Sequence, residues 1–389
     1  MSARAIILPL AILGIPGCLA PNWLYDETAG GTATAPTTTT SSSSTSSTAS
    51  TSSTTASASV TATGDPTSSS TTLTTGETST GGSSTGTTGE PADCWGRAAG
   101  DWDEIVEVLD LQLGTKPRSA RLSPDGLALY YIAENEGLSR PFTAERLSRD
   151  EPFVSGALLA ALPNVAGVDY PYFRRDPQDI RELILAVAFP GDLHAFVDPN
   201  FGKDIPLTAL NHVDPAIQDT YASGTEDGSR LIYIRQDGPK NPHLPGATFR
   251  LYEATRAPDS PAGTPFDPPT LLPITYALPP DPQTYPPVAL CSALSPDGRR
   301  LFFGSTHPVV LDSMDALDDA VGIQFAERAD LASPFTPAER LDLFQLEGWE
   351  TCPNAITRDG CELAFHRFIY MPPNNGTNTY RLYIARRAP

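Results

Sequence analysis

The chain has 389 residues, with 46 acidic against 26 basic side chains and a formal net charge of −20. Nucleic-acid binding needs a basic footprint, so this balance argues against it; it describes a soluble surface that repels other anions. Setting aside a Ser/Thr-rich tract, about 295 residues remain to build a core, enough for one large β domain or two small ones.

At the N-terminus Arg4 is the only charge, and an apolar run from Ala5 to Ile15 follows, interrupted by Pro9. That run is shorter than the roughly 20 residues a bilayer span needs, and residues 1–17 read as an export signal. It ends in Ile15-Pro16-Gly17-Cys18. This resembles the bacterial lipobox, where an aliphatic residue three places before a Cys and a small residue directly before it direct lipid transfer and cleavage; Pro16 departs from the usual small residue. The resemblance implies lipid attachment at Cys18. The alternative is an ordinary secretory signal with an incidental Cys. Leu19 carries no charge, and no acidic residue after the Cys signals inner-membrane retention. The expected location is therefore the outer membrane or cell surface, with a periplasmic or secreted protein as the alternative.

Residues 18–92 form the next segment, almost entirely Thr, Ser, Gly and Ala from position 28 onward. It has too little apolar surface to offset the entropy of ordering and reads as a disordered stalk. About 65 flexible residues span roughly 45 Å root-mean-square, enough to hold a domain clear of a membrane.

Residues 93–389 carry the core. Cys94, Cys291, Cys352 and Cys361 are an even set in an exported chain and are disulfide candidates, with three possible pairings. A regular hairpin turning at residues 357–360 would place Cys361 opposite Ile356, too far from Cys352 for a disulfide without a bulge. A zinc site lacks both C-x-x-C spacing and a His partner.

Asp-Gly turns between apolar runs recur at SPDGLALYYI, TEDGSRLIYI, SPDGRRLFFG and TRDGCELAFH, ending at Gly126, Gly228, Gly298 and Gly360. Each has Ser or Thr three places before the glycine: Ser123, Thr225, Ser295 and Thr357. The hydroxyl bonds back to the turn, Asp125, Asp227, Asp297 and Asp359 tolerate the left-handed region, and Gly supplies positive φ. A third strand follows, closing on Ala-x-Arg at Arg146, Arg256, Arg328 and Arg387. Pro152-Phe153, Pro265-Phe266 and Pro334-Phe335 then precede a fourth, in GALLAAL, PTLLPI and ERLDLF. The first glycine gap, 102 residues, is long enough for two units, against 70 and 62 for the others. Inside it, residues 169–189 form a degenerate hairpin, with DLHAFVD and IPLTAL as its third and fourth strands.

Small four-stranded sheets that are apolar on both faces are stable only when stacked radially, so the expected fold is all-β: a β-propeller of about five four-stranded blades, six being possible. The fifth unit stops at its third strand, and residues 104–113 are expected to supply the fourth, closing the ring and removing open edges. The S/T-x-D-G turn followed by an L-x-Y/F strand resembles the TolB-type, WD-like propeller repeat of bacterial envelope proteins, over about residues 104–389. That resemblance implies a propeller, usually of six or seven blades.

The turn aspartates read as scaffold, because repetition at one structural position is unlike a catalytic site. The Ala-x-Arg arginines are expected to pair with acidic neighbours on a solvated strand edge. None of the five histidines has metal-binding spacing, and there is no H-E-x-x-H, no G-x-S-x-G and no phosphate loop, so no cofactor is expected. Trp349 precedes an innermost strand, where an aromatic either packs between blades or stacks on a sugar or peptide. Loops 236–247 and 305–322 join second to third strands and should emerge on one rim. The leading function is a non-enzymatic, monomeric binding or scaffolding module of the bacterial envelope, its partner a protein or glycan and its membrane contact a lipid only. The alternative is a five-bladed carbohydrate-active enzyme with channel carboxylates such as Asp169, Asp219 or Glu350.

Overall fold

The computed structural model describes residues 93–388 apart from 110, 112–114, 136–137, 155, 160–168, 177–178, 188–191, 198–200, 215–216, 238–247, 278–287, 308–320, 347–348 and 370–378. The residues read above as an export signal and a stalk, with Cys18, thus lie outside the described residues.

Five antiparallel sheets of four strands make up the domain. A short strand β1 (Glu104–Glu107) comes first and joins the last blade. Blade 1 is β2 (Thr115–Leu122), β3 (Ala128–Asn135), β4 (Leu138–Glu145) and β5 (Ala157–Leu158). Blade 2 is β6 (Asp169–Asp176), β7 (Asp179–Val187), β8 (Asp192–Val197) and β9 (Lys203–Pro206). Blade 3 is β10 (Gln218–Gly224), β11 (Arg230–Asp237), β12 (Thr248–Thr255) and β13 (Thr270–Leu271). Blade 4 is β14 (Ala289–Leu294), β15 (Arg300–Ser305), β16 (Gly322–Glu327) and β17 (Glu339–Arg340). Blade 5 is β18 (Glu350–Ile356), β19 (Glu362–Ile369), β20 (Thr379–Arg386) and, outermost, β1. The first strand of each blade is innermost, and these strands pack on one another around the axis. The fold is a five-bladed β-propeller, fewer blades than the TolB resemblance implied.

The ring closes where the sequence pattern placed it. Ile105 pairs with Ala385 and Val106 with Ile384, and the Val108 amide donates to the Leu382 carbonyl at 2.8 Å. The strand itself covers only 104–107 of the expected 104–113. The outer strands of blades 1, 3 and 4 are likewise shorter than their apolar runs, at two residues each. A fourth strand is bonded on one side only, and Pro268, Pro269 and Pro273 around β13 have no amide to give. After β17 the chain winds into a 3-10 turn, Asp342–Phe344. In blade 2 the fourth strand is Lys203–Pro206, and Leu207–Leu210 turn instead of extending. Short outer strands leave little free edge for another chain to pair with.

The four Asp-Gly turns share one bonding pattern. In the first, the Ala128 amide donates to Ser123 Oγ at 2.8 Å, the Leu127 amide to Asp125 Oδ1 at 3.0 Å and the Gly126 amide to the Ser123 carbonyl at 2.8 Å. The glycines sit at φ between 68° and 77°. In the last turn Ile356 pairs with Leu363, not Cys361, because the turn is closed by Thr357 and Glu362 rather than by a tight two-residue loop. The disulfides are Cys94–Cys361, tying the lead-in segment to this turn, and Cys291–Cys352, tying β14 to β18. At Gly360 (φ +72°) an added Cβ would stand 2.5 Å from the Trp95 ring. Gly360→Ala is expected to cost about 1–2 kcal/mol in backbone conformation alone, and more from displacing Trp95; urea denaturation measures it.

The turn aspartates also make stability depend on acid. Burial alone would raise the Asp227 carboxyl, but bonds from the Thr225 hydroxyl and from the Ser229 amide and hydroxyl overcome it and leave its pKa lowered. Burial is likewise outweighed at Asp359, by the Cys361 amide, the Thr357 hydroxyl and Arg149. A carboxyl lowered in the folded state stabilises above its unfolded pKa, about 3.9, and the contribution is lost as pH falls through the folded value. Stability by denaturant titration should therefore hold from neutrality to about pH 5 and fall below about pH 4. Asp227→Asn should flatten part of that fall.

The Ala-x-Arg arginines are not on a solvated edge; all four are buried. Each Nε donates to the carbonyl of its own blade's turn glycine: Arg146 to Gly126, Arg256 to Gly228, Arg328 to Gly298 and Arg387 to Gly360, at 2.7–2.8 Å. The first three guanidiniums lie over the Phe of the Pro-Phe pair, 4.3–4.5 Å from Phe153, Phe266 and Phe335. Their far nitrogens cross to the preceding blade: Arg146 to Glu362, Arg256 to Glu182 and Arg328 to Glu253. In blade 5 Trp102 and Trp95 replace the Phe, with Arg387 at 4.5 and 5.6 Å, and Arg300 of blade 4 meets Trp95 at 4.2 Å. Burial pulls the Arg387 pKa down to about 10. The three repeated sequence signatures thus meet at one point, a bond between neighbouring blades.

Candidate functional site

The axis is where all five blades converge, and the innermost strands are irregular there. Each carries a register shift, at Arg118/Arg121, Asp169/Tyr172, Thr220/Ser223, Ala289/Cys291 and Pro353/Ala355. Ser119 and Tyr221 take positive φ, 54° and 58°, a conformation that costs an L residue roughly 1–2 kcal/mol. The bulge in β10 takes Ala222 out of the ladder, and its carbonyl accepts a bond from the Arg121 guanidinium at 2.5 Å. A second nitrogen of Arg121 donates to the Ser292 carbonyl at 3.1 Å. One buried side chain from blade 1 therefore braces blades 3 and 4.

At the turn end, the second residues of the four Asp-Gly turns close over the axis. The Arg358 amide donates to the Pro124 carbonyl at 2.8 Å and the Glu226 amide to the Pro296 carbonyl at 3.0 Å. The Arg358 guanidinium holds both carboxylate oxygens of Glu226, joining blade 5 to blade 3, and its pKa is raised by that bond. Beneath lies a small cavity lined by all five blades, among them Arg121, Tyr130, Tyr172, Ser223, Leu294 and Ile356. These residues were not singled out from the sequence. The one available signal was the variable second position of the turn motif, where Glu226 and Arg358 carry opposite charges.

The opposite end holds the residues considered for catalysis. Asp219, in β10, has a fully buried side chain gripped by Arg235 Nε at 2.7 Å and by the His212 amide at 2.8 Å. Burial pushes its carboxyl above the usual range, with Arg235 pulling the other way. Arg235 in turn lies 4.6 Å from the Tyr252 ring and donates to the Leu210 carbonyl at 2.6 Å. Glu350 is buried at the start of β18, and the side chain of Asp169 lies outside the described residues. Trp349 is half-buried, bridges to Leu346, and has the Arg381 guanidinium 5.4 Å from its ring. His307 stacks on Tyr276 at 4.1 Å, and its carbonyl accepts from Gln324 and Arg340.

The pairs Asp237–Thr248 and Ser305–Gly322 place the connections after β11 and β15 at this same end, on one rim. Residues 238–247 and 308–320 of those connections, including Asp312, Asp315, Asp318 and Asp319, lie outside the described residues. Among the described residues no group of three or more His, Cys, Asp or Glu is placed to hold a metal ion. His194 pairs with Asp204 at 2.7 Å on the outer strands of blade 2, away from the axis.

No family model matches the chain, and no curated protein matches it. Solved structures similar to it include TolB from Acinetobacter baumannii, at 12% identity and a TM-score of 0.36, covering 74% of this chain and 55% of that one. A puromycin-hydrolyzing peptidase of Mycobacterium tuberculosis is 14% identical with a TM-score of 0.38, covering 74% and 40%. The α-L-arabinofuranosidase PaAbf62A from Podospora anserina, in complex with cellotriose, is 11% identical with a TM-score of 0.45, covering 75% and 98%. The chain spans about half the length of the first two. The class that this chain's own strand pairing defines is the five-bladed β-propeller.

Proposed function

We propose that the chain is a non-enzymatic binding or scaffolding module of the bacterial cell envelope, held by a lipid on Cys18 and a flexible stalk, with its partner a protein or glycan engaged on the rim that carries the connections after β11 and β15. The observation that supports this most is Arg121. It reaches across the axis to bond Ala222 and Ser292, while Arg358 and Glu226 bar the turn end. A channel so occupied suits a rigid platform better than a substrate tunnel, and binding loops on rigid scaffolds are common. The test is capture from envelope extracts by the full chain, by a stalk-only version (residues 18–92), and by a chain with residues 308–320 replaced by a short Gly/Ser linker. The proposal predicts a partner retained by the full chain alone; equal capture by the linker variant contradicts the assignment to this rim. For the anchor, Cys18→Ser should release the protein from membranes, and a variant that stays bound contradicts lipid attachment there.

One observation favours the second reading, a carbohydrate-active enzyme. Asp219 and Glu350 are both buried in innermost strands, and burial raises the Asp219 carboxyl against the pull of Arg235. Hydrolysis of 4-nitrophenyl α-L-arabinofuranoside, lost in Asp219→Asn, would establish that reading; no turnover by the intact protein leaves the binding role in place.

A further inference from the structure

Two arginines of blade 5 are held side by side near the rim. Arg367 in β19 pairs directly with Arg381 in β20, so both side chains leave the same face of the sheet. The β19–β20 pairing ends close by at Ile369–Thr379, at the same end of the ring as Asp237–Thr248 and Ser305–Gly322. Like charges directly opposite each other on a sheet are destabilising, yet here both are fixed in place. The buried Arg367 guanidinium donates to the Phe344 carbonyl at 3.1 Å and lies 5.3 and 4.9 Å from the Phe365 and Tyr383 rings. Burial lowers its pKa, and the Tyr383 hydroxyl pulls the other way. A hydrogen bond to the same hydroxyl raises Arg381. One phenol oxygen thus serves both guanidiniums.

Arg381 is the accessible member of the pair. Its side chain is 47% exposed, and its guanidinium lies 5.4 Å from the ring centre of the half-buried Trp349. The exposed Leu346 bridges to Trp349. The pair's carboxylate contact among the described residues is Glu107, 3.4 Å from Arg381 and 32% exposed. A locally cationic spot beside an indole therefore stands on a chain whose net charge is −20. A guanidinium matches a carboxylate bidentately, and an indole offers a broad apolar face. The ligand that uses both is a sugar ring bearing a carboxylate. A peptide that binds as an added strand needs a free sheet edge. β20 is bonded to β19 on one side and to β1 on the other, continued by the Val108 amide on the Leu382 carbonyl.

We propose that Trp349 and Arg381, backed by Arg367, bind a uronic-acid residue of an acidic glycan, with the sugar face on the indole and the carboxylate on Arg381. This rests on the reading of the rim as the binding face and names the class of glycan it takes. The test is calorimetric titration of the purified full chain, disulfides intact, with trigalacturonate, the neutral galactotriose and triglutamate. Trigalacturonate should bind at least about tenfold more tightly than either of the others, the difference one charge-assisted hydrogen-bond pair supplies. Arg381→Gln should weaken it by a similar factor and remove the preference over galactotriose. Trp349→Ala should weaken both sugars together, an independent readout should either variant fold poorly. No binding of trigalacturonate, equal binding of galactotriose, or unchanged affinity in both variants would overturn the proposal. Triglutamate bound as tightly would overturn it in favour of an acidic peptide. Capture of an envelope partner through residues 308–320 is read separately, so failure of this site leaves that result standing.

Discussion

Arg256→Met should lower the stability of the domain by about 3–5 kcal/mol in urea denaturation, the largest loss expected from any single charged residue here. The Arg256 side chain is 2% exposed and that of Glu182 is 0%. Their bidentate bond is reinforced by Arg256 on the Gly228 and Thr264 carbonyls and by the Gly263 amide on Glu182. Removing the guanidinium strands a carboxylate between two blades and leaves those carbonyls unpaired. The cost comes from that stranded charge, so Arg256→Met with Glu182→Leu should recover most of the loss. The contrast is Arg358→Gln. Arg358 is 68% exposed and Glu226 31%, and solvent screening should hold that loss to about 0–1 kcal/mol. Comparable losses from Arg256→Met and Arg358→Gln would show that the seam bonds do not hold the blades.

Replacing Cys94 and Cys361 together with Ser should cost about 4–5 kcal/mol, more than replacing Cys291 and Cys352. In the chain-entropy view a cross-link stabilises by restricting the unfolded chain, and the restriction grows with the enclosed loop. Cys94–Cys361 encloses 267 residues, nearly the whole domain, against 61 for Cys291–Cys352. It also fixes the segment that must be in place for the ring to close: the Cys94 amide donates to the Asp359 carbonyl at 2.9 Å, Trp95 Nε1 to the Arg358 carbonyl at 2.8 Å, and β1 begins ten residues after Cys94. Losing it should raise the unfolding rate as well as lower the equilibrium stability, because blade 5 then keeps its outer strand by non-covalent contacts alone. Urea denaturation and unfolding kinetics under non-reducing conditions, compared across the two double variants, measure both.

Much of the scaffold was legible because its signals are local. The Asp-Gly turns need only four consecutive residues, and the apolar alternation after Gly126 or Gly298 needs only the strand it belongs to. Ring closure was legible as well, since a sheet short of one strand and an unassigned apolar run near the N-terminus fit each other. The role of Arg146, Arg256 and Arg328 was not. Their partners Glu362, Glu182 and Glu253 are 216, 74 and 75 residues away in the chain. The repeat showed that these arginines were scaffold, but only the stacking of blades shows that they face inward across a seam. Arg121, Glu226 and Arg358 were not marked by the repeat, for a related reason. Their positions follow from bulges and from turn residues that vary between units, so no periodicity marks them. The fourth strands were overread, because an apolar run such as GALLAAL reports burial against a neighbour and not how many residues join the ladder.

The measurement that bears most directly on the closed ring is the set of interstrand backbone contacts made by residues 104–107 in solution, read by nuclear Overhauser effects on selectively labelled protein. The ring predicts contacts from Ile105 and Val106 to Ala385 and Ile384, in the sheet that also holds residues 350–356. Contacts from Ile105 and Val106 to any strand other than the C-terminal one would contradict it.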